Sequence, residues 1–379
     1  MDLETFEFRP ASGWSVGSFP ELDSDQTLLL VFGGNGGVDL EQPIAELREA
    51  YPLAKLMGCS TAGEIFGTRV QDDGLVVAAA RFQTTRLARA ITPVERSEQS
   101  RTAGVNLAQT LTAPDLKAVI VLSDGLNVNG SQLVAGLNDV FQGSVVVTGG
   151  LAGDGDRFDR TWVLDGASQV SNRVTALGLY GDRVRVGHGS RGGWDIFGPE
   201  RRVTSAEGNV LRELDGRPAL ELYKEYLGEL AAGLPATALR FPLALRAQPE
   251  DKKRLVRTIL AVSEDEGSLT FAGDIPEGYL AQLMRTNLDR LVDGAEEAAA
   301  MTQNRGPDGD PTLAIAISCV GRRIVLGERS EEEVEATLDE LPSSTRQIGF
   351  YSYGEISPYA SGPCDLHNQT MTLTTLHEV

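Results

Sequence analysis

The sequence predicts an α/β fold in two parts, assembled from repeated strand–helix–strand units, and three observations carry that prediction. Three segments of the chain follow one plan, and each segment closes on a glycine followed by a carboxylate. The 379 residues, 41% of them apolar, also exceed what one hydrophobic core usually supports.

The first unit opens on the β-rich run Leu28-Leu29-Leu30-Val31-Phe32 and turns through Gly33-Gly34-Asn35-Gly36-Gly37. It then places Ile44, Leu47 and Tyr51 three and four residues apart, as on a helix, and closes on Gly58-Cys59-Ser60-Thr61-Ala62-Gly63-Glu64. The second unit opens at Ala118-Val119-Ile120-Val121-Leu122, turns at Ser123-Asp124-Gly125 and sets Leu133, Leu137 and Phe141 along one helical face. Its closing word is Thr148-Gly149-Gly150-Leu151-Ala152-Gly153-Asp154. The third runs from Ala314 to Cys319 and enters a helix through a capping box, Ser330 to Glu333, with Val334, Leu338 and Leu341 facing inward. It closes on Gly349-Phe350-Tyr351-Ser352-Tyr353-Gly354-Glu355.

Two readings of the closing turns stand side by side. In one, Gly63, Gly153 and Gly354 take positive φ at a tight turn and the acid after each caps a nearby amide. In the other, the turns gather at one end of the sheets and line a pocket with Cys59, Ser60, Thr61, Glu64, Asp154 and Glu355.

Between the second and third units, His188 sits between Gly187 and Gly189, where small neighbours let a flat ligand approach the backbone. The turn Leu214-Asp215-Gly216-Arg217-Pro218-Ala219 leads into a helix expected to bury Leu220, Tyr223, Leu227 and Leu230, so the boundary between the two parts is placed near residue 218. Strand signals follow at 255–260 and 269–271, then a turn over 273–278, a long helix reaching about Met301, and an exposed connection over 303–311.

Charge narrows the partners. With 34 Lys plus Arg against 54 Asp plus Glu, the formal charge of −20 repels polyphosphate and anionic lipid, so neither nucleic acid nor membrane is expected as a partner. The N-terminus lacks a basic segment leading into an apolar one, and no apolar run has membrane-spanning length, which reads as a cytoplasmic protein. Cys59, Cys319 and Cys364 are an odd set without Cys-x-x-Cys spacing, against a disulfide framework or structural zinc.

The closing words, together with Leu214 to Ala219, Phe241-Pro242-Leu243 and Ser318-Cys319-Val320-Gly321-Arg322, resemble the FIST family in kind and order over about residues 25–365. The resemblance implies an N-terminal domain over 25–218, a C-terminal domain over 219–365 and a C-terminal strand or tail over 366–379. It implies a non-enzymatic sensor for small ligands, amino acids being the class proposed for the family at large, whose signal passes in trans to a histidine kinase or another output protein. In length and motif flavour the chain also resembles freestanding members that bind haem and sense nitric oxide.

Haem iron is held by His, Cys, Met or Tyr, and the chain has three histidines. His367 is the first candidate axial ligand and His188 the second, each with a plain hydrogen-bonded turn residue as its other reading; His377 reads as a mobile surface residue. Cys-Pro is absent, so thiolate ligation has less support. For an amino acid, Glu64 or Asp154 would pair with the ammonium and Arg322 with the carboxylate. The enzyme alternative takes Cys59 as nucleophile, His188 as base and Asp154 or Asp124 as the orienting acid, against a small buried cysteine. The Gly33–Gly37 turn lacks a phosphate-loop ending, and the acids around Asp154-Gly155-Asp156 read as a solvated turn rather than a calcium loop.

Overall fold

Each repeated unit folds as a pair of parallel strands, which obliges the chain to cross over through a helix before pairing back. In the computed structural model, which describes residues 1–34, 36, 39–302, 309–359 and 362–379, the pairs are Thr27–Gly33 with Lys55–Ser60, Leu116–Ser123 with Val146–Leu151, and Thr312–Cys319 with Thr345–Ser352. The crossovers are the helices Glu41–Ala50, Gly130–Phe141 and, in the third unit, Val320–Leu326 plus Ser330–Asp339.

The three pairs sit at the centres of three sheets with one strand order. In each, two successive antiparallel strands extend the sheet beyond the first strand of the pair: Leu75–Arg81 then Asp2–Arg9, Arg173–Tyr180 then Arg86–Pro93, or Met371–Glu378 then Val184–Arg191. The near-continuous apolar runs of the central strands follow from burial on both faces. Leu28, Leu30 and Phe32 point into an inner core with Ile120, Leu122, Ile315, Ile317 and Phe350 from the other two sheets, while Leu29 and Val31 pack outward on Ile44, Leu47 and Tyr51. Phe32 and Phe350 meet across the inner core with ring centres 4.6 Å apart.

The sheets are locked by a cyclic exchange of strands. The strand after the first unit, Glu64–Phe66, joins the third sheet; the one after the third, Gly354–Pro358, joins the second; the one after the second, Val163–Asp165, joins the first. At the axis the closing turns form a ring of backbone hydrogen bonds: Ala62 N–H to Tyr351 O at 2.8 Å, Tyr353 N–H to Leu151 O at 3.2 Å and Gly153 N–H to Ser60 O at 3.1 Å.

The ring corrects the alignment of the three closing words. Sheet register sets Gly58 beside Val31, Gly149 beside Val121 and Gly349 beside Ala316, so Gly149 rather than Thr148 matches the other two glycines. A Cβ at these positions would lie 2.2, 1.8 and 1.8 Å from the neighbouring strand's carbonyl oxygen, which explains the glycines better than a turn does. The second word reaches its acid one residue early, so Glu64 and Glu355 are equivalent and Asp154 is not. Of Gly63, Gly153 and Gly354, Gly63 alone takes positive φ, at 126°.

Residues 195–285 carry a fourth sheet with its own core, in which Leu220, Tyr223 and Leu227 of the helix Ala219–Leu227 pack on Leu211, Leu269 and Phe271. Leu230 lies past that helix, 54% exposed, contrary to expectation. The long helix expected after residue 278 is a strand, Leu280–Arg285, followed by the helix Leu288–Ala300. The Ser330 capping box does not form: Ser330 is already helical and donates to Gly327 O, because Glu333 turns inward to Arg322. Met371–Glu378 is a buried strand pairing on both sides, so His377 is fixed rather than mobile. Residues 303–308 of the expected connection, and Asn35 and Gly37 of the first turn, lie outside the described residues.

Candidate functional site

The closing turns come together as expected, but as a structural hub rather than as the wall of a large pocket. Ser60 accepts Trp162 N–H at 3.0 Å, and Thr61 donates to Glu64. Ser352 makes the equivalent bond to Glu355 at 2.7 Å, and Thr370 Oγ1 donates to the other oxygen at 2.9 Å. Burial pushes both carboxyls up to about 8 against these hydrogen bonds, so both are largely protonated at neutral pH. Asp154, one residue out of step, accepts from Tyr353 Oη and from the amides of Phe158, Asp159 and Arg160 at 2.8–3.0 Å. Burial opposes its ionisation, yet those bonds win and hold it below the usual carboxylate range.

Neither the amino-acid arrangement nor the nucleophile arrangement drawn from the sequence is assembled. Arg322 is fully buried and engages Glu333 at 2.6 and 2.9 Å, Gly192 O at 2.6 Å and Leu291 O at 2.7 Å, so its charge is already matched by a carboxylate of the protein rather than offered to a ligand. Cys59 is fully buried among Phe32, Met57 and Val163, and burial drives its thiol well above the ordinary range. Among the described residues no hydrogen bond joins Cys59, His188 and Asp154 or Asp124, whose oxygens take the amides of Leu126, Asn127 and Asn172. The glycine beside His188 serves packing: a Cβ on Gly189 would lie 2.0 Å from Ala298 O of the helix Leu288–Ala300. By strand alternation the half-buried His188 faces away from that helix, and desolvation lowers its pKa.

Two cavities flank the hub. The larger, about 690 Å³, opens between the fourth sheet and the helix Leu288–Ala300, and His367 lies in its wall. Its lining includes five cations, Arg191, Lys252, Arg254, Arg285 and Arg290, and three acids, Asp195, Asp293 and Glu297. Arg290 pairs with Asp195 at 2.7 Å and Arg191 with Glu297 at 3.6 Å; among the described residues Lys252, Arg254 and Arg285 enter no ion pair. In a chain of charge −20 this is a cationic island, flanked by Trp194, Tyr359, Val256 and Met284.

His367 ends the strand Cys364–His367, and its Nε2 lies 2.9 Å from Ser357 O. A carbonyl only accepts, so Nε2 carries the proton and Nδ1 keeps its lone pair. Burial lowers the imidazole's pKa to about 4, outweighing the help from Asp365 and the Ser357 bond, so the ring is neutral at pH 7. The cleft wall is braced from behind. Arg322 holds Gly192 O, Trp194 Nε1 donates to Gln369 O at 2.8 Å, and a Cβ on Gly193 would lie 1.8 Å from Arg290 O. Arg322 is therefore a positioning residue for the cleft.

The second cavity, about 570 Å³, is mostly apolar and lies between residues 97–158 and the fourth sheet; Leu151, Tyr353, Cys319 and Asn368 reach it from the hub. The sequence reading missed Lys252, Arg254 and Arg285 of the cleft, and Thr258 and Asn368 of this cavity. Lys252-Lys253-Arg254, a run of three cations in a strongly acidic chain, was the available signal for the cleft.

Residues 27–217 match the FIST N domain and residues 219–358 the FIST C domain. An uncharacterized protein of Methanocaldococcus jannaschii is 25% identical over 363 residues, covering 83% of this chain and 67% of its own length. An uncharacterized protein of Mycobacterium tuberculosis is 27% identical over 276 residues, covering 69% of this chain and 68% of its own. A solved cyanuric acid hydrolase from A. caulinodans aligns over 94% of this chain and 91% of its own at 12% identity, with a TM-score of 0.35, too slight a likeness to carry an argument. No helix among the described residues is long and apolar enough to cross a membrane.

Proposed function

We propose, since this chain belongs to the FIST family of sensory ligand-binding domains, that it holds a small anionic ligand in the cleft beside His367 and signals in trans to a separate output protein such as a histidine kinase. The observation that carries this is the cleft's set of cations that enter no ion pair among the described residues, Lys252, Arg254 and Arg285, in a protein whose net charge is −20. Focused positive potential in a concave, partly apolar site favours a ligand with acidic groups on a flat apolar body.

Among the ligands implied by the sequence resemblance, haem fits these residues. The neutral His367 ring offers a lone pair at Nδ1, Trp194, Tyr359, Val256 and Met284 supply apolar contact, and Lys252, Arg254 and Arg285 suit two propionates. When bound, haem would supply an iron centre able to take a diatomic gas. The chain's own residues keep the imidazole neutral, fix its tautomer through Ser357 O and draw the anionic edge into the cleft.

The amino-acid reading loses its named pairing, because Glu64, Asp154 and Arg322 are all engaged within the protein. Thermal unfolding separates the two readings. Bound ligand raises the melting temperature by mass action, so a saturating haem dose is expected to raise it while a panel of amino acids leaves it unchanged. The reverse pattern would replace haem with an amino acid.

A further inference from the structure

We infer that the apolar cavity between the N and C domains is a second ligand site, which takes an uncharged, largely apolar molecule carrying an N–H or O–H donor. Apolar side chains dominate its walls, among them Leu126, Val128, Ile259, Phe271 and Tyr353, and among the described residues neither lysine nor arginine lines it. The one acid among its described lining residues, Asp274, is already engaged by Asn129 Nδ2 at 2.9 Å and Gln132 Nε2 at 2.7 Å. The cavity therefore makes no demand for a charged ligand.

Two polar atoms set the chemistry. Asn368 Oδ1 and Thr258 Oγ1 have no hydrogen-bond partner among the described residues, although their residues are 0% and 4% exposed. The amide orientation of Asn368 is fixed, because Nδ2 donates to His367 O at 3.0 Å and a carbonyl cannot accept from an oxygen. The orphan is thus an acceptor, and an unsatisfied buried acceptor is costly unless a ligand's donor reaches it. The rim points the same way: Phe158, Leu260 and Ile324 are 50%, 44% and 50% exposed, large apolar side chains gathered at one opening.

The test is a pair of near-isosteric probes on the full chain by titration calorimetry, benzanilide with its amide N–H and phenyl benzoate with an ester oxygen in its place. Benzanilide is expected to bind saturably with a Kd about tenfold lower than phenyl benzoate, the ratio expected for one buried hydrogen bond. Asn368→Leu is expected to bring the two Kd values together. Where that variant fails to fold, Thr258→Val is expected to narrow the same ratio. Failure of benzanilide to bind, equal affinity of both probes for the wild type, or a tenfold preference surviving in both variants would overturn the site. Haem binding to the cleft reads a different cavity, so either result stands without the other.

Discussion

His367 and Asn368 are consecutive residues that line different cavities, the imidazole in the cationic cleft and the carboxamide in the apolar one, joined by the bond from Asn368 Nδ2 to His367 O at 3.0 Å. A dipeptide at the end of the strand Cys364–His367 can do this because alternate side chains leave a strand on opposite faces.

The cleft's cations govern affinity for an anionic ligand. Arg254→Glu and Lys252→Glu are each expected to weaken haem binding about tenfold or more, increasingly so at low salt, because a like charge replaces an attractive one at close range. Affinity measured at two ionic strengths checks this.

The buried glutamates give stability a defined pH dependence. With carboxyls near 8 in the folded chain against 4.5 ordinarily, Glu64 and Glu355 hold protons that the unfolded chain has released between those values. Stability from these groups is present below about 4.5 and falls as pH rises toward 8. His367 acts in the opposite sense: its neutral form is favoured on folding, so its contribution falls as pH drops from 6.5 toward about 4. Replacing Glu64 and Glu355 by Gln is expected to flatten the alkaline decline and to add about 2 kcal/mol at pH near 8.5, read from urea midpoints.

Arg322 and Glu333 form a fully buried pair that also accepts Ser318 Oγ at 3.0 Å and Tyr351 Oη at 2.8 Å. Arg322→Met leaves an uncompensated carboxylate and is expected to cost about 3–5 kcal/mol, whereas Arg322→Met with Glu333→Met recovers much of that loss. Because Arg322 also holds Gly192 O, the double variant should fold and still bind haem more weakly.

The closing-word glycines answer to backbone approach. Gly349→Ala puts a methyl 1.8 Å from Ala316 O and is expected to destabilise by about 3 kcal/mol or more. Gly17→Ala, with open space around it, is the control and should be near neutral by the same denaturation measurement.

The repeat was legible because it rests on local pattern: apolar runs in central strands, helical spacing at Leu133, Leu137 and Phe141, and glycines where strands crowd. The cyclic exchange of strands was not legible, because nothing in Glu64-Ile65-Phe66 says that its partner is Phe350 rather than a strand of its own sheet. Arg322 and Cys59 stood out as chemistry-bearing residues, yet burial and internal partners, which sequence spacing does not encode, assign both to the framework. His367 was selected from its residue type alone, and its cationic neighbours come from positions 191, 252, 254, 285 and 290, all remote from it in the chain.

The most direct test of the cleft is titration of the purified chain with haem, followed by absorption. The account predicts saturable binding of one haem per chain with an intense Soret band, a band position changed in His367→Ala, and a shift on adding nitric oxide to the wild type. A titration that shows no saturable band, or one indifferent both to His367→Ala and to Arg254→Glu, would contradict it.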